Sequence, residues 1–119
     1  MATAPERDPG RHIPMHPLEF QVLLILMDAE LHGYGIAKEI ERRDVRAGRV
    51  LPTNLYRRLR DMGEKGMIAE APGPGDGQRR VFRITPFGKR VARAEAERME
   101  AMVRSARRHR LLASGAEEG

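Results

Sequence analysis

Arg57 and Arg60 stand three residues apart, with Thr53 and Asn54 just ahead of them, in the stretch "LPTNLYRRLRDMGEKGMI". These are the residues of the chain whose types and spacing can do recognition chemistry. Guanidinium matches phosphate and the guanine edge in two-point fashion, and the Asn amide matches adenine in the same way. In the same stretch Leu55, Leu59 and Met62 follow an i, i+4, i+7 spacing, the mark of one buried helical stripe. At roughly 100° per residue, Arg57 and Arg60 project to the opposite side, with Thr53 between them and Asn54 at the edge. Arg58 falls on the flank, where its stem can pack and its head reach solvent. A plain solvated face is the competing explanation, so the surrounding elements must decide.

Charge favours the recognition reading. The 119 residues carry a formal net charge of +5, yet seven arginines (Arg42, Arg43, Arg46, Arg49, Arg57, Arg58, Arg60) crowd one short region against the single acid Asp44. An excess concentrated in this way points to an anionic partner more strongly than net charge does. Zero cysteines exclude disulfides, thiolate metal sites and cysteine nucleophiles. His12, His16, His32 and His109 lack metal-ligand spacing, so no metal and no cofactor is expected. His32 is expected to make a local structural hydrogen bond. Glu95, Glu97 and Glu100 among Arg93, Arg98 and Arg104 read as surface ion pairs, and no nucleophile-base-orienter set is visible, so an enzyme is not expected. No stretch approaches the roughly 20 apolar residues of a membrane span, and the N-terminus lacks a signal-peptide pattern. A cytoplasmic location is the expectation.

The elements that hold these residues follow from local signals. Residues 1–16 contain several prolines and no apolar period, which predicts a flexible arm. Pro17 opens a broadly apolar helix, "LEFQVLLILMDAE", expected to be enclosed as the central core helix. Gly33 and Gly35 mark a turn, and a second helix presents Ile36, Ala37 and Ile40. The Arg57 helix starts at Pro52-Thr53-Asn54 and ends near Lys65-Gly66. "MIAEA" and "RRVFRIT" read as the two strands of a hairpin around "PGPGDGQ", leaning on the helices through Ile68, Phe82 and Ile84. Thr85-Pro86 opens a long helix to about Arg110, before a frayed tail at 111–119. The predicted fold is mainly α with a small β-hairpin: a winged helix-turn-helix domain over 17–85, followed by one C-terminal dimerisation helix over 86–110.

Three motifs in this order carry a family resemblance. "LLILMDAELHGYGIAKEI", "LPTNLYRRLRDMGEKGMI" and "RRVFRITPFGKR" resemble the first helix and His-Gly-Tyr turn, the recognition helix, and the wing exit of PadR-type transcriptional regulators. Two features depart from the pattern: Arg57 stands where many relatives carry proline, and the chain stops soon after one long helix, so an elaborate C-terminal ligand pocket is not expected. The resemblance implies a homodimer that binds operator DNA, often as a repressor, sometimes released by a small molecule. If an effector exists here, scarce aromatics favour one held by aliphatic residues and methionine.

The residues fit double-stranded DNA independently. Thr53, Asn54, Arg57 and Arg60 are placed to probe the major groove, with Asn54 and Arg57 the candidates for base edges. Tyr56 lies to the side, reaching a phosphate or packing its ring; both readings stay open. At the wing, Gln78, Arg79 and Arg80 suit a narrow, electronegative minor groove, the alternative being ordinary solvent-facing arginines. On the long helix Ala92, Ala96, Met99, Val103 and Ala106 make a short heptad seam for self-association, against packing onto the helix's own domain. Two recognition helices about 34 Å apart would read a pseudo-palindrome. The rival from another class is a winged-helix protein-interaction module whose basic face docks an acidic partner.

Overall fold

The computed structural model describes residues 8–44, 52–73 and 80–113. A short 3-10 helix (Pro9–His12) leads into α1 (Pro17–Asp28), α2 (Gly33–Arg43), α3 (Pro52–Glu64), β1 (Ile68–Pro72), β2 (Arg80–Ile84) and α4 (Pro86–Arg108). The strands pair antiparallel, with Ile68 opposite Ile84 and Pro72 opposite Arg80. Mainly helical, with one hairpin, this is the winged helix-turn-helix arrangement that the order of motifs predicts. No helix among the described residues is long and apolar enough to cross a membrane.

Local chemistry explains each boundary. His16 caps α1 through Nδ1, which accepts the Leu18 N–H at 3.0 Å, and Pro17 occupies the first turn, where a missing N–H costs nothing. His32 caps α2 in the same way, accepting from the Gly35 N–H at 3.1 Å. The expected local role of His32 is therefore what the structure shows, but Gly33 and Gly35 lie inside the first helical turn rather than in a loop. At the end of α3, Gly66 adopts a φ of 83°, while its N–H bonds to Gly63 O and the Met67 N–H to Met62 O. That pair of bonds is a Schellman stop, which needs a residue tolerant of left-handed backbone.

One core joins all elements: Val22, Leu23, Ile25 and Leu26 of α1, Ile36 and Ile40 of α2, Leu55, Leu59 and Met62 of α3, then Met67, Ile68, Phe82, Phe87 and Val91. The hairpin leans on it through Ile68 and Phe82, with Ile84 partly buried. Val81, on the other face of β2, is also buried, so the strand does not alternate cleanly. A two-stranded sheet is marginal alone, and this one gains a third partner absent from the sequence reading. Leu31 exchanges both backbone bonds with Phe82, at 3.3 and 2.8 Å.

Two expectations need correction. Residues 8–16 do not form a loose arm: His12 meets the Phe87 ring edge-on at 5.4 Å, Met15 is buried, and the Met15 N–H reaches Glu95. Apolar burial and a buried hydrogen bond outweigh the low-order signal of three prolines. Glu95 is not a surface acid but lies in the core, 2% exposed, held by Arg98. The expected core role of α1 holds, with Val22, Leu23, Ile25 and Leu26 buried, while Leu24 and Met27 face outward.

Candidate nucleic-acid interface

The apolar stripe of α3 orients everything on its far side. Leu55, Leu59 and Met62 are 2% exposed or less, which forces Thr53, Asn54, Tyr56, Arg57 and Arg60 outward, and all five are exposed. Burying three such side chains contributes roughly 5–8 kcal/mol, so the helix cannot roll its guanidinium groups inward cheaply.

Charge on this face differs from the simple sequence count. Arg42 and Arg43 are answered by Glu39, at 2.9 and 3.0 Å, and Arg43 also by Asp28 at 2.8 Å. The Arg42 and Arg43 hydrogen bonds hold the Glu39 carboxyl well below its usual range, at about 2, so these pairs persist at any physiological pH. Arg58 meets Glu19 of α1 at 3.2 Å, with both side chains largely covered, so its head does not reach solvent freely. It bolts α3 to α1. Arg46 and Arg49 lie outside the described residues. Among the described residues, then, the arginine cluster reduces to Arg57 and Arg60 as cations without an acidic partner. Glu19, Asp28 and Glu39 were visible in the sequence, but only the fold brings Glu19 and Asp28 within reach.

Tyr56 packs its ring over the start of α2. A Cβ placed on Gly33 would come within 2.4–2.6 Å of the Tyr56 ring and hydroxyl, so any larger residue there would displace the ring. The outer side of the ring stays open. Beside it, Tyr34 is 60% exposed, stacks with His32 at 6.3 Å and carries the Lys38 ammonium 5.3 Å above its ring. This aromatic-cationic corner was not singled out from the sequence. Its signal was the i, i+4 spacing of Tyr34 and Lys38 on a helix.

At the wing, Gln78 and Arg79 lie outside the described residues. Arg80 is exposed and pairs with Glu70 across the hairpin at 3.2 Å. Along α4 the proposed seam divides. Ala92 is buried in the protomer's own core, which corrects its assignment to a partner interface. Ala96 and Met99 are exposed, and Val103 and Ala106 half-buried. Met102 is exposed as well, accepting a long contact from Arg98 at 3.7 Å. No group of three or more metal-ligating side chains occurs among the described residues.

Comparison with known proteins agrees with this geometry. The Transcriptional regulator PadR-like family matches residues 22–94, well over half of the chain. A PadR family transcription regulator from Clostridium difficile superposes with a TM-score of 0.70 at 18% identity, over 79% of this chain and 98% of that one. A transcriptional regulator from Clostridium thermocellum gives 0.68 at 23% identity, over 76% and 87%. Bacillus subtilis PadR, solved in complex with operator DNA, gives 0.59 at 22% identity, over 68% of this chain and 46% of that longer one. No curated protein matches. The chain belongs to the PadR-like family of transcriptional regulators.

Proposed function

We propose that this chain is a sequence-specific DNA-binding repressor that acts as a homodimer on a pseudo-palindromic operator. In this reading residues 17–85 form the DNA-binding unit, α3 enters the major groove and the hairpin rests on the minor groove. The observation that carries it is that, among the described residues, Arg57 and Arg60 on the outer face of α3 have no acidic partner, whereas Arg42, Arg43 and Arg58 each meet a carboxylate. Arg57 and Asn54 read base edges, and Thr53, Arg60 and Tyr56 position the helix on phosphates. The open apolar positions Leu24, Met27, Met99 and Met102 support self-association through α1 and the segment 86–110. DNA binding implies residence with the chromosome, in the cytoplasm, and an effector would act by changing the spacing of the two α3 helices.

Selection of bound duplexes from a random library, read by sequencing, tests this proposal. An enriched inverted repeat is the expected result; its absence would favour a protein-interaction module with a basic docking face. Arg57→Ala is expected to reduce operator preference by about 1–3 kcal/mol, measured as the ratio of operator to scrambled-duplex affinity. Uniformly weaker binding with unchanged preference would make Arg57 a phosphate contact instead.

A further inference from the structure

Glu70 is out of character with its surroundings. It sits opposite Phe82 in the hairpin, and Arg80 sits opposite Pro72, so all four share one face of the sheet. Phe82 uses that face to pack on the core, while Glu70 and Arg80 extend past the core's edge into a cleft of about 320 Å³ shared with Tyr34 and Tyr56. Two partly exposed tyrosines and a guanidinium line this one cleft, a surface suited to a phosphodiester. Glu70 is the one acid among the described residues that line it, and it occupies Arg80 at 3.2 Å.

We propose that Glu70 is a specificity-determining residue, which holds Arg80 in a releasable ion pair and thereby withholds it from ordinary duplex DNA. The inference rests on the DNA-binding reading above and deepens it. Both side chains are about half exposed, 55% for Arg80 and 48% for Glu70. Exposed pairs of this kind are weak and exchange readily. A phosphate can therefore take Arg80 from Glu70, but the exchange gives up the existing ion pair, so only the difference between the two contacts is gained. A duplex of ordinary groove potential gains little from such an exchange. A narrow, strongly electronegative minor groove gains more, because its potential acts on Arg80 beyond the single phosphate contact. Glu70 thus taxes non-specific binding more than operator binding.

The test compares wild type, Glu70→Gln, Arg80→Ala and the double variant, using fluorescence anisotropy on a selected duplex and a scrambled one across a salt series. Glu70→Gln is expected to tighten scrambled-duplex binding about fivefold to tenfold near 0.1 M salt. Its salt slope should steepen by about 0.9, the signature of one more neutralised phosphate. The selected duplex should gain less, so the preference ratio falls, and the double variant should behave like Arg80→Ala. Thermal melting should be unchanged in Glu70→Gln, separating this effect from misfolding. A gain that survives in the Arg80→Ala background would overturn the proposal, because Glu70 would then act directly on the backbone. An unaltered ratio in Glu70→Gln, with wild type still discriminating, would overturn it alone. Failure of wild type to prefer any duplex would instead overturn the DNA-binding reading from which it starts.

Discussion

Gly88→Ala is expected to destabilise the protein by about 2–3 kcal/mol and to lower the melting temperature by roughly 10 °C. Gly88 lies in the first turn of α4, where the chain passes directly over the end of α3. Thr85 ties that crossing together. Its N–H bonds to Met67 O at 3.0 Å, its hydroxyl donates to the Gly66 and Met67 carbonyls, and its Oγ1 accepts the Gly88 N–H at 2.9 Å. A Cβ on Gly88 would fall 2.1 Å from the Met67 carbonyl oxygen and 2.9 Å from Ile84 Cγ1. The Met67 backbone and α4 cannot separate without moving Phe87 and Val91, which are anchored in the core. Alanine's better helix propensity, worth about 1 kcal/mol, offsets only part of the cost. Gly63 provides the control. A Cβ there meets only Ile68 O at 3.9 Å, so Gly63→Ala should stabilise the fold by up to about 1 kcal/mol. Urea denaturation of both variants checks the pair. Equal effects of the same sign would show that helix propensity, not the α3–α4 crossing, governs Gly88.

Glu95→Ala should cost about 2–4 kcal/mol and loosen residues 8–16. The Glu95 carboxylate takes two bonds from Arg98, both at 2.8 Å, and a third from the Met15 N–H at 3.2 Å. Truncation leaves a buried N–H without an acceptor and a cavity beside Val91 and Ala92, while Arg98, one-third exposed, recovers part of its loss in water. That recovery keeps the figure below the cost of breaking a fully buried pair. Amide hydrogen exchange should accelerate at Met15 and along the 3-10 helix before the rest of the chain responds.

The same site predicts an acid limb of stability. The Arg98 hydrogen bond holds the Glu95 carboxyl below its ordinary range, against the opposing effect of burial, with the Met15 N–H adding to the lowering. The folded state therefore binds its proton less readily than the unfolded state does. Its contribution is complete above the unfolded carboxyl pKa, near 4.3, and is lost as pH falls from there through the lower folded value. Glu95→Gln should flatten that part of the stability profile. Identical acid limbs for Glu95→Gln and wild type would place the proton uptake elsewhere.

The division between what was legible and what was not follows the range of the interactions. The i, i+4, i+7 spacing of Leu55, Leu59 and Met62 determined which side of α3 faces out, because helical geometry depends only on the nearest turns. Thr85-Pro86 and Gly66 determined where α4 begins and α3 stops for the same reason. The order of these signals sufficed for a winged helix-turn-helix. Which arginines remain available was another matter. Arg58 finds Glu19 across 39 positions and the Met15 N–H finds Glu95 across 80, distances over which sequence spacing carries no geometric information. The burial of Ala92, the pairing of Leu31 with Phe82 and the capture of Arg80 by Glu70 likewise depend on elements that meet only after the chain folds. Sequence alone determined the rod and its two faces; tertiary packing decided which charges that rod and its wing can offer, since a cation's availability depends on every carboxylate the fold brings within about 4 Å of it.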